Sequence, residues 1–324
     1  MNRLLRLFSG LLLSGALAAS HAADYPSGAV RIVVPFPPGG IADILARAVA
    51  DRLSPRLGQP VLVDNRPGGN TVIAAQAVAR AAPDGLTVLM GTDATMSALP
   101  FLYSKLPFDP KADFTAVMPV AQATSFLAVS SEVPVGSVAD LVRLAKAKPG
   151  SLSYGSMGAG SNGHISGELF RKTAGVDIVH VPYKGLADAV AALVGNHTNI
   201  IFGNVMPMLS HVKSGRVKLL AYMGDQRSPL FPDIPTIAET GYRGLESVAW
   251  FGLLAPAHTP PAVVEKLATL TRVVVADPAF RERYLTSVGL EPMEVETPAA
   301  FSQFLARDRQ KYEQQVRTSG IQLE

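Results

Sequence analysis

Short apolar runs rich in β-branched residues alternate with segments of helical spacing along most of the chain. AVRIVVPF (Ala29–Phe36) is predicted as a strand. IADILARAVADRL follows, with Ile41, Ile44, Leu45, Ala48 and Leu53 close to a helical period. PVLVDN is the next strand, TVIAAQAVARAA the next helix and LTVLMGT a third strand. Pro83-Asp84-Gly85 marks a turn, because proline presets φ, aspartate can bond its own backbone and glycine permits positive φ. Strand–helix–strand repetition predicts a parallel sheet with helices on both faces.

The pattern restarts after AVMPVAQATSFLAVSS. Helix SVADLVRLAKAK stops at Pro149-Gly150 and strand SLSYG leads into a Gly/Ser loop. Helix HISGELFRKTAG, strand DIVHVPY, helix LADAVAALVG, strand TNIIFGN, a helix near MPMLSHVKSG and strand RVKLLAYM follow. ESVAWFGLLAPA is a further long apolar run, and only helices are predicted beyond it. Thr259-Pro260-Pro261 and Thr297-Pro298 each resemble a helix cap followed by a first-turn proline. In the last helix Phe301, Phe304, Leu305, Tyr312 and Val316 share one face. Two α/β lobes are therefore expected, residues 23–122 with 252–324 in one and 123–251 in the other. Val117–Val129 and Ser247–Ala255 are the candidate crossings, two strands able to hinge about an interlobe cleft, which is a preferred ligand location.

The N-terminus stands apart from this pattern. Arg3 and Arg6, the short apolar run LFSGLLLSGALAA and the small residues of Ser20–Ala22 read as a signal peptide cut after about Ala22. An uncleaved anchor is the competing reading, but the run is shorter than the roughly 20 residues a spanning helix needs. The mature chain is thus expected in the periplasm with no membrane insertion of its own. Removing Arg3 and Arg6 lowers the formal net charge from +3 to +1, with no basic run, so nothing points to nucleic acid. With 324 residues, 48% hydrophobic, the chain can build its cores without disulfides. It has no cysteine, which excludes thiol catalysis and Cys-ligated metals. Its six histidines show no HxH or HExxH spacing, and no metal or other cofactor is expected.

Two loops carry the candidate chemistry. PFPPGGIAD (Pro35–Asp43) joins a strand to a helix, and Gly39 and Gly40 leave N–H groups uncovered at the helix start, where the macrodipole attracts an anion. Asp43, in the first turn, is either a cap or an acceptor for an ordered water or a ligand N–H. YGSMGAGSNGHISGE (Tyr154–Glu168) repeats the construction in the second lobe. There Ser161 is placed to cap the helix, His164 falls near its third position, Ser156 adds a hydroxyl and Gly160 allows close backbone approach. Thr92, in GTDATMS (Gly91–Ser97), is placed to line the same rim. Arg66, in DNRPGGN, adds positive potential or forms an exposed ion pair. One anion-binding loop per lobe suggests a dicarboxylate or amino acid bridging the cleft.

The second loop also contains Gly158-x-Gly160-x-x-Gly163, a bare dinucleotide pattern. It starts three residues too late after its strand, and no acidic residue ends the next strand to take a ribose hydroxyl. Ala159-x-Ser161-x-Gly163 suggests a nucleophile elbow, with Asp225 or Asp233 and His258 as downstream partners. A secreted serine hydrolase using Ser161 is therefore the alternative to a binding protein with no enzymatic activity.

The ordered set VPFPPGGIAD, DNRPGG, PDGLTVLMGT, LPFDPKADFTAV, LSYGSMGAGSNGHISGELF, HVPYKG, VKSGRVKLLAY, FPDIPTIAETGY and WFGLLAPAHTP resembles the tripartite tricarboxylate transporter substrate-binding family, the Bug-type extracytoplasmic solute receptors. The resemblance covers nearly the whole mature chain. It implies a two-lobed periplasmic-binding-protein fold (type II-like) that closes on its ligand, each lobe a mostly parallel sheet flanked by helices. It implies a monomeric receptor that delivers a small organic anion to a large and a small membrane permease subunit. It also implies ligand contacts from Phe36, Gly39, Gly40 and Asp43 in one lobe and from Ser156, Gly160, Ser161 and His164 in the other. Three positions depart from the family pattern. Ala42 stands where Thr is usual, Gly68–Ile73 departs from the usual Gly/Ala-rich form, and Gly203 stands where many relatives carry an Asp. That Asp could meet a ligand ammonium, so Gly203 lessens the case for an amino acid.

Overall fold

The computed structural model describes residues 25–323, so the expected leader and its cleavage site lie outside the described residues. The first elements are β1 (Val30–Val34), α1 (Ile41–Leu57), β2 (Val61–Asn65), α2 (Val72–Ala79), β3 (Thr87–Thr92), α3 (Leu99–Leu102) and β4 (Phe114–Ser130). Next come α4 (Val138–Ala147), β5 (Leu152–Ser156), α5 (Asn162–Ala174), β6 (Ile178–Pro182), α6 (Leu186–Val194), β7 (Ile200–Asn204), α7 (Leu209–Lys213) and β8 (Val217–Tyr222). β9 (Val248–Pro256) precedes α8 (Pro261–Ala276), α9 (Pro278–Tyr284) and α10 (Pro298–Ser319).

The strands pair in the order β2-β1-β3-β9-β4-β7-β5-β6, with β8 also on β4. β1 runs parallel to β2 and β3, and β5 runs parallel to β6 and β7. In the inner strands β1 and β7 alternate residues enter different cores, so both faces are packed, whereas the edge strands β2 and β6 leave Leu62 and Val179 exposed. In β1, Ile32 and Val34 pack on one face and Val33 on the other. In β7, Ile200 and Phe202 share a core with Tyr154, while Ile201 packs with Phe126.

β4 joins the two halves. Its first part, Phe114–Thr124, pairs antiparallel with β9, and its second part, from Ser125, pairs antiparallel with β7 and β8. Register shifts interrupt both parts, as β-bulges do where a strand bends. The return crossing is made at Ser247. Its N–H donates to Met223 O in the second lobe, its carbonyl accepts from Ser125 N–H, and β9 begins with the next residue.

Two local expectations change. Thr297 caps α10, accepting from Ala300 N–H, but Thr259 does not cap α8. Its hydroxyl donates instead to Pro256 O, at 2.8 Å. The apolar face of α10 is present, yet it does not serve one lobe. Phe301 and Leu305 join Trp250 in the first lobe, whereas Tyr312 and Val316 join Tyr154 and Phe170 in the second. A helix of 22 residues is about 33 Å long, enough to lie across both.

Candidate functional site

The parallel strands of both lobes end at one gap. Thr92, last in β3, pairs with Phe251, which pairs with Ala121 of β4. Asn204, last in β7, pairs with Ser125 of the same strand. Four residues of β4 separate the two levels, about 13 Å at roughly 3.3 Å per residue. Open α/β sheets bind ligands beyond the carboxyl ends of their strands, and here two sets of such ends face each other.

On the first-lobe side, the loop after β1 exposes Gly39 and Gly40, and Phe36 is half-buried against the core below. Gly39 has φ +88°, which its lack of a side chain permits. Asp43 is buried and turned back toward this loop. Its carboxylate accepts from Gly39 N–H at 2.9 Å, Asn65 Nδ2 at 2.9 Å and Arg47 Nε at 3.1 Å. Asn65 Nδ2 also donates to Phe36 O, at 3.1 Å. Burial alone would raise the Asp43 carboxyl, but these donors and the Arg47 charge together hold it below the usual range. Asp43 thus fixes the shape of the loop, and the other first-turn N–H groups of α1 have no intrahelical acceptor.

Thr92 is buried at the end of β3, its hydroxyl 3.1 Å from that of Thr95, which donates to Thr71 Oγ1 at 2.9 Å. This hydroxyl ladder ties the loop after β2, where Asn70 and Thr71 have positive φ, to the segment after β3. Arg66 is exposed and pairs with Asp64 at 2.9 Å.

On the second-lobe side, Ser161 is the N-cap of α5, as its sequence position predicts. Its hydroxyl donates to Gly158 O at 2.7 Å and accepts from His164 N–H at 3.4 Å. Ser156 Oγ accepts from Gly158 N–H at 3.1 Å, and His164 Nδ1 accepts from Gly160 N–H at 3.0 Å. The loop is therefore braced by its own side chains. Burial, and then the neighbouring His180, push the His164 imidazole down to about 4. The proposed nucleophile role of Ser161 finds no support, since its hydroxyl is bonded to backbone atoms. His258 follows β9 at the opposite end of the sheet from the gap, beyond the pairing of Pro256 with Phe114.

Gly160, with φ +76°, is where the lobes touch. A Cβ there would lie 2.6 Å from Leu323 Cδ1, 3.2 Å from Leu102 Cδ1 and 3.6 Å from Asn70 Nδ2. Beside it Asn162, the first residue of α5, donates to the buried Asp93 carboxylate at 3.2 Å and lies 3.2 Å from Tyr312 Oη. The Tyr312 hydroxyl also bonds Asp93. Asn162 Oδ1 accepts from Ser247, whose hydroxyl also bonds Ser125. A buried polar chain thus links the second-lobe loop, the first lobe, α10 and both crossings. Burial foremost lifts the Asp93 carboxyl to about 6; the Tyr312 bond opposes this and nearby Asp308 adds to it. The sequence gives no role to Asp93, Asn162 or His180, and places Tyr312 only on the apolar face of the last helix. Their only signal was position: Asp93 follows Thr92 at a strand end, and Asn162 follows the cap.

Residues 45–321 match the model of the tripartite tricarboxylate transporter family receptor. Protein BugT of Bordetella pertussis is 33% identical over 325 residues, covering 100% of this chain and 99% of its own length. Among solved structures, R. palustris Rpa4515 with adipate aligns with a TM-score of 0.83 at 35% identity, over 91% of this chain and 98% of that one. MatC from Rhodopseudomonas palustris with bound malate aligns with a TM-score of 0.80 at 30% identity, over 90% of this chain and 100% of that one. The periplasmic binding protein BugD aligns with a TM-score of 0.81 at 30% identity, over 93% of this chain and 100% of that one. The chain belongs to the tripartite tricarboxylate transporter receptor family.

Proposed function

We propose that this chain is a periplasmic solute receptor, not an enzyme, that holds a small organic carboxylate between its lobes and delivers it to the large and small permease subunits of a tripartite transporter. The observation that carries this reading is the pair of glycine-rich loops at the ends of β1 and β5, each opening a helix toward the same gap. Helix starts bind anions through N–H groups and the macrodipole without a dedicated cation. This fits a chain whose Arg47 and Arg66 are already paired with carboxylates. Adipate and malate, the molecules in the two neighbours, are both dicarboxylates, and a ligand with a carboxylate at each end matches one anion site per lobe.

In this reading Phe36, Gly39, Gly40, Thr92, Ser156, Gly160, Ser161 and His164 line the ligand, and Asp43 acts by shaping the first loop. The lobes divide close to residues 122 and 251, with the sheet changing at Thr124–Ser125 and Ser247–Val248. Among the described residues no helix is long and apolar enough to cross a membrane. In this reading the receptor is an exported monomer that meets its permease from outside. The test is a thermal-shift screen of the mature chain against organic acids, with mass spectrometry of any co-purified molecule. A ligand at 100 times its Kd should add about 2.7 kcal/mol of apparent stability. No shift with any organic acid, together with labelling of Ser161 by a serine-reactive probe, would return the hydrolase reading.

A further inference from the structure

His180 lies on β6, beside Tyr154 of β5 in parallel register. Its ring stacks on His164, with centroids 3.9 Å apart and planes 11° apart, and on Tyr154 at 5.0 Å and 28°. Its Nε2 is 2.7 Å from Ser156 Oγ. Both polar neighbours hold loop backbone, Ser156 at Gly158 N–H and His164 at Gly160 N–H. One imidazole therefore restrains two of the three side chains that brace the second-lobe loop, Ser156 and His164.

We propose that His180 is a positioning residue for carboxylate recognition, holding the loop from Gly158 to Gly163 in its donor-presenting form through its bond to Ser156 and its stack on His164. The proposal rests on the receptor reading. Because His164 Nδ1 accepts from Gly160 N–H, the proton of the neutral ring sits on Nε2, which makes that atom a donor. A second imidazole stacked against it disfavours a charge on either ring. Burial lowers His180 as well, against the pull of Glu168, whose own carboxylate is bonded to Tyr154 Oη and Arg171. His164 thus meets a carboxylate as a neutral donor through Nε2, while the Ser161 proton is given to Gly158 O, and the aim of the His164 ring depends on how the loop is held.

The test titrates adipate and malate calorimetrically into the wild type, His180→Phe, His180→Gln, Ser156→Ala and the His180→Phe/Ser156→Ala double variant. His180→Phe keeps a stacking ring and loses the bond to Ser156; His180→Gln keeps a donor and loses the stack. His180→Phe and Ser156→Ala should each weaken binding about tenfold, the scale of one lost hydrogen bond, and His180→Gln, which loses only the stack, should weaken it less. The double variant should be little worse than the weaker single, because the two residues act through one contact. In the unliganded His180→Phe protein, the amide resonances of Gly158 and Gly160 and the His164 ring nitrogens should shift. If that variant does not fold, His180→Gln carries the same readout. Wild-type affinity in both His180 variants, or unmoved Gly158 and Gly160 amides, would overturn the proposal. A wild type that binds no organic acid overturns the receptor reading instead, while the amide shifts still decide whether His180 holds the loop.

Discussion

Asp43 sits at the end of a glycine-rich loop, where a carboxylate is suited either to cap a helix or to meet a ligand. The residue types allow both, and burial separates them. Its carboxylate is spent on Gly39, Asn65 and Arg47, so its removal strands buried donors before it touches a ligand. Asp43→Ala should cost about 1.5–3 kcal/mol of stability at neutral pH, the range for hydrogen bonds to a charged group. Arg47 is half exposed and can be solvated, so its share of that cost is small. The sign with pH follows from the lowered carboxyl. Its stabilisation is present above the unfolded value near 4 and is lost as pH falls through the still lower folded value. Denaturant titrations of wild type and variant should therefore converge in acid, and a gap that persists unchanged at pH 3 would remove Asp43 from this role. The sequence could place Asp43 in the first helical turn. It could not say which way the carboxylate points, because that depends on Asn65, which only the pairing of β1 with β2 brings alongside.

At the scale of elements, the alternation of strands and helices was legible because inner parallel strands such as β3 and β7 are buried on both faces and read as apolar runs, while the edge strands β2 and β6 keep enough apolar residues to be recognised. The apolar stripe of α10 was legible too, but not its division between two cores, since periodicity marks a face and not the partner that covers it. Still less legible was the node of Asp93, Asn162 and Tyr312. These residues lie 69 and 150 positions apart, and no local pattern relates them. Energetically the node is a buried carboxylate dependent on its donors. With the Asp93 folded value raised to about 6, the fold is favoured most below the unfolded value near 4 and loses stability as pH rises from about 4 to about 6. Tyr312→Phe removes a bond that favours the ionised form, so the upper end of this window should move higher. The variant should be less stable than wild type by about 1–3 kcal/mol at pH 7.5, with a smaller difference at pH 5, where Asp93 is mostly protonated. Urea unfolding at the two pH values checks this, and an equal difference at both would mean that Tyr312 acts through packing alone.

For the whole molecule, the question is what holds the lobes in their present relation. β4 and Ser247 connect them along the spine. A third tie is Glu291, whose backbone pairs with Gln122 in both directions and whose side chain bonds Gln122, Thr124 and Tyr222. Away from the spine, Gly160 rests against Leu102 and Leu323. The glycine loop thus has two features that the sequence could not separate: its Gly158 and Gly160 N–H groups are held by Ser156 and His164, and the lack of a Cβ at Gly160 lets the rims touch. Valine at position 160 would bring a Cβ to 2.6 Å from Leu323 and force a branched residue into φ +76°, a conformation disfavoured for it. The Leu323 contact is with the end of a flexible side chain, so the backbone supplies most of the strain; relieving it takes residue 160 out of φ +76°, which changes the loop and withdraws it from the rim of the first lobe. Gly160→Val should therefore favour a more open form and weaken carboxylate binding by at least tenfold, since apparent affinity falls with the fraction of competent molecules. Leu323→Ala, which clears space instead of filling it, should leave the loop conformation unstrained and affect binding less. Small-angle scattering of the unliganded proteins should give a larger radius of gyration for Gly160→Val than for wild type. A compact variant with lost affinity would assign the effect to the loop's own donors, whereas wild-type affinity would show that position 160 tolerates a side chain and that the rims need not meet.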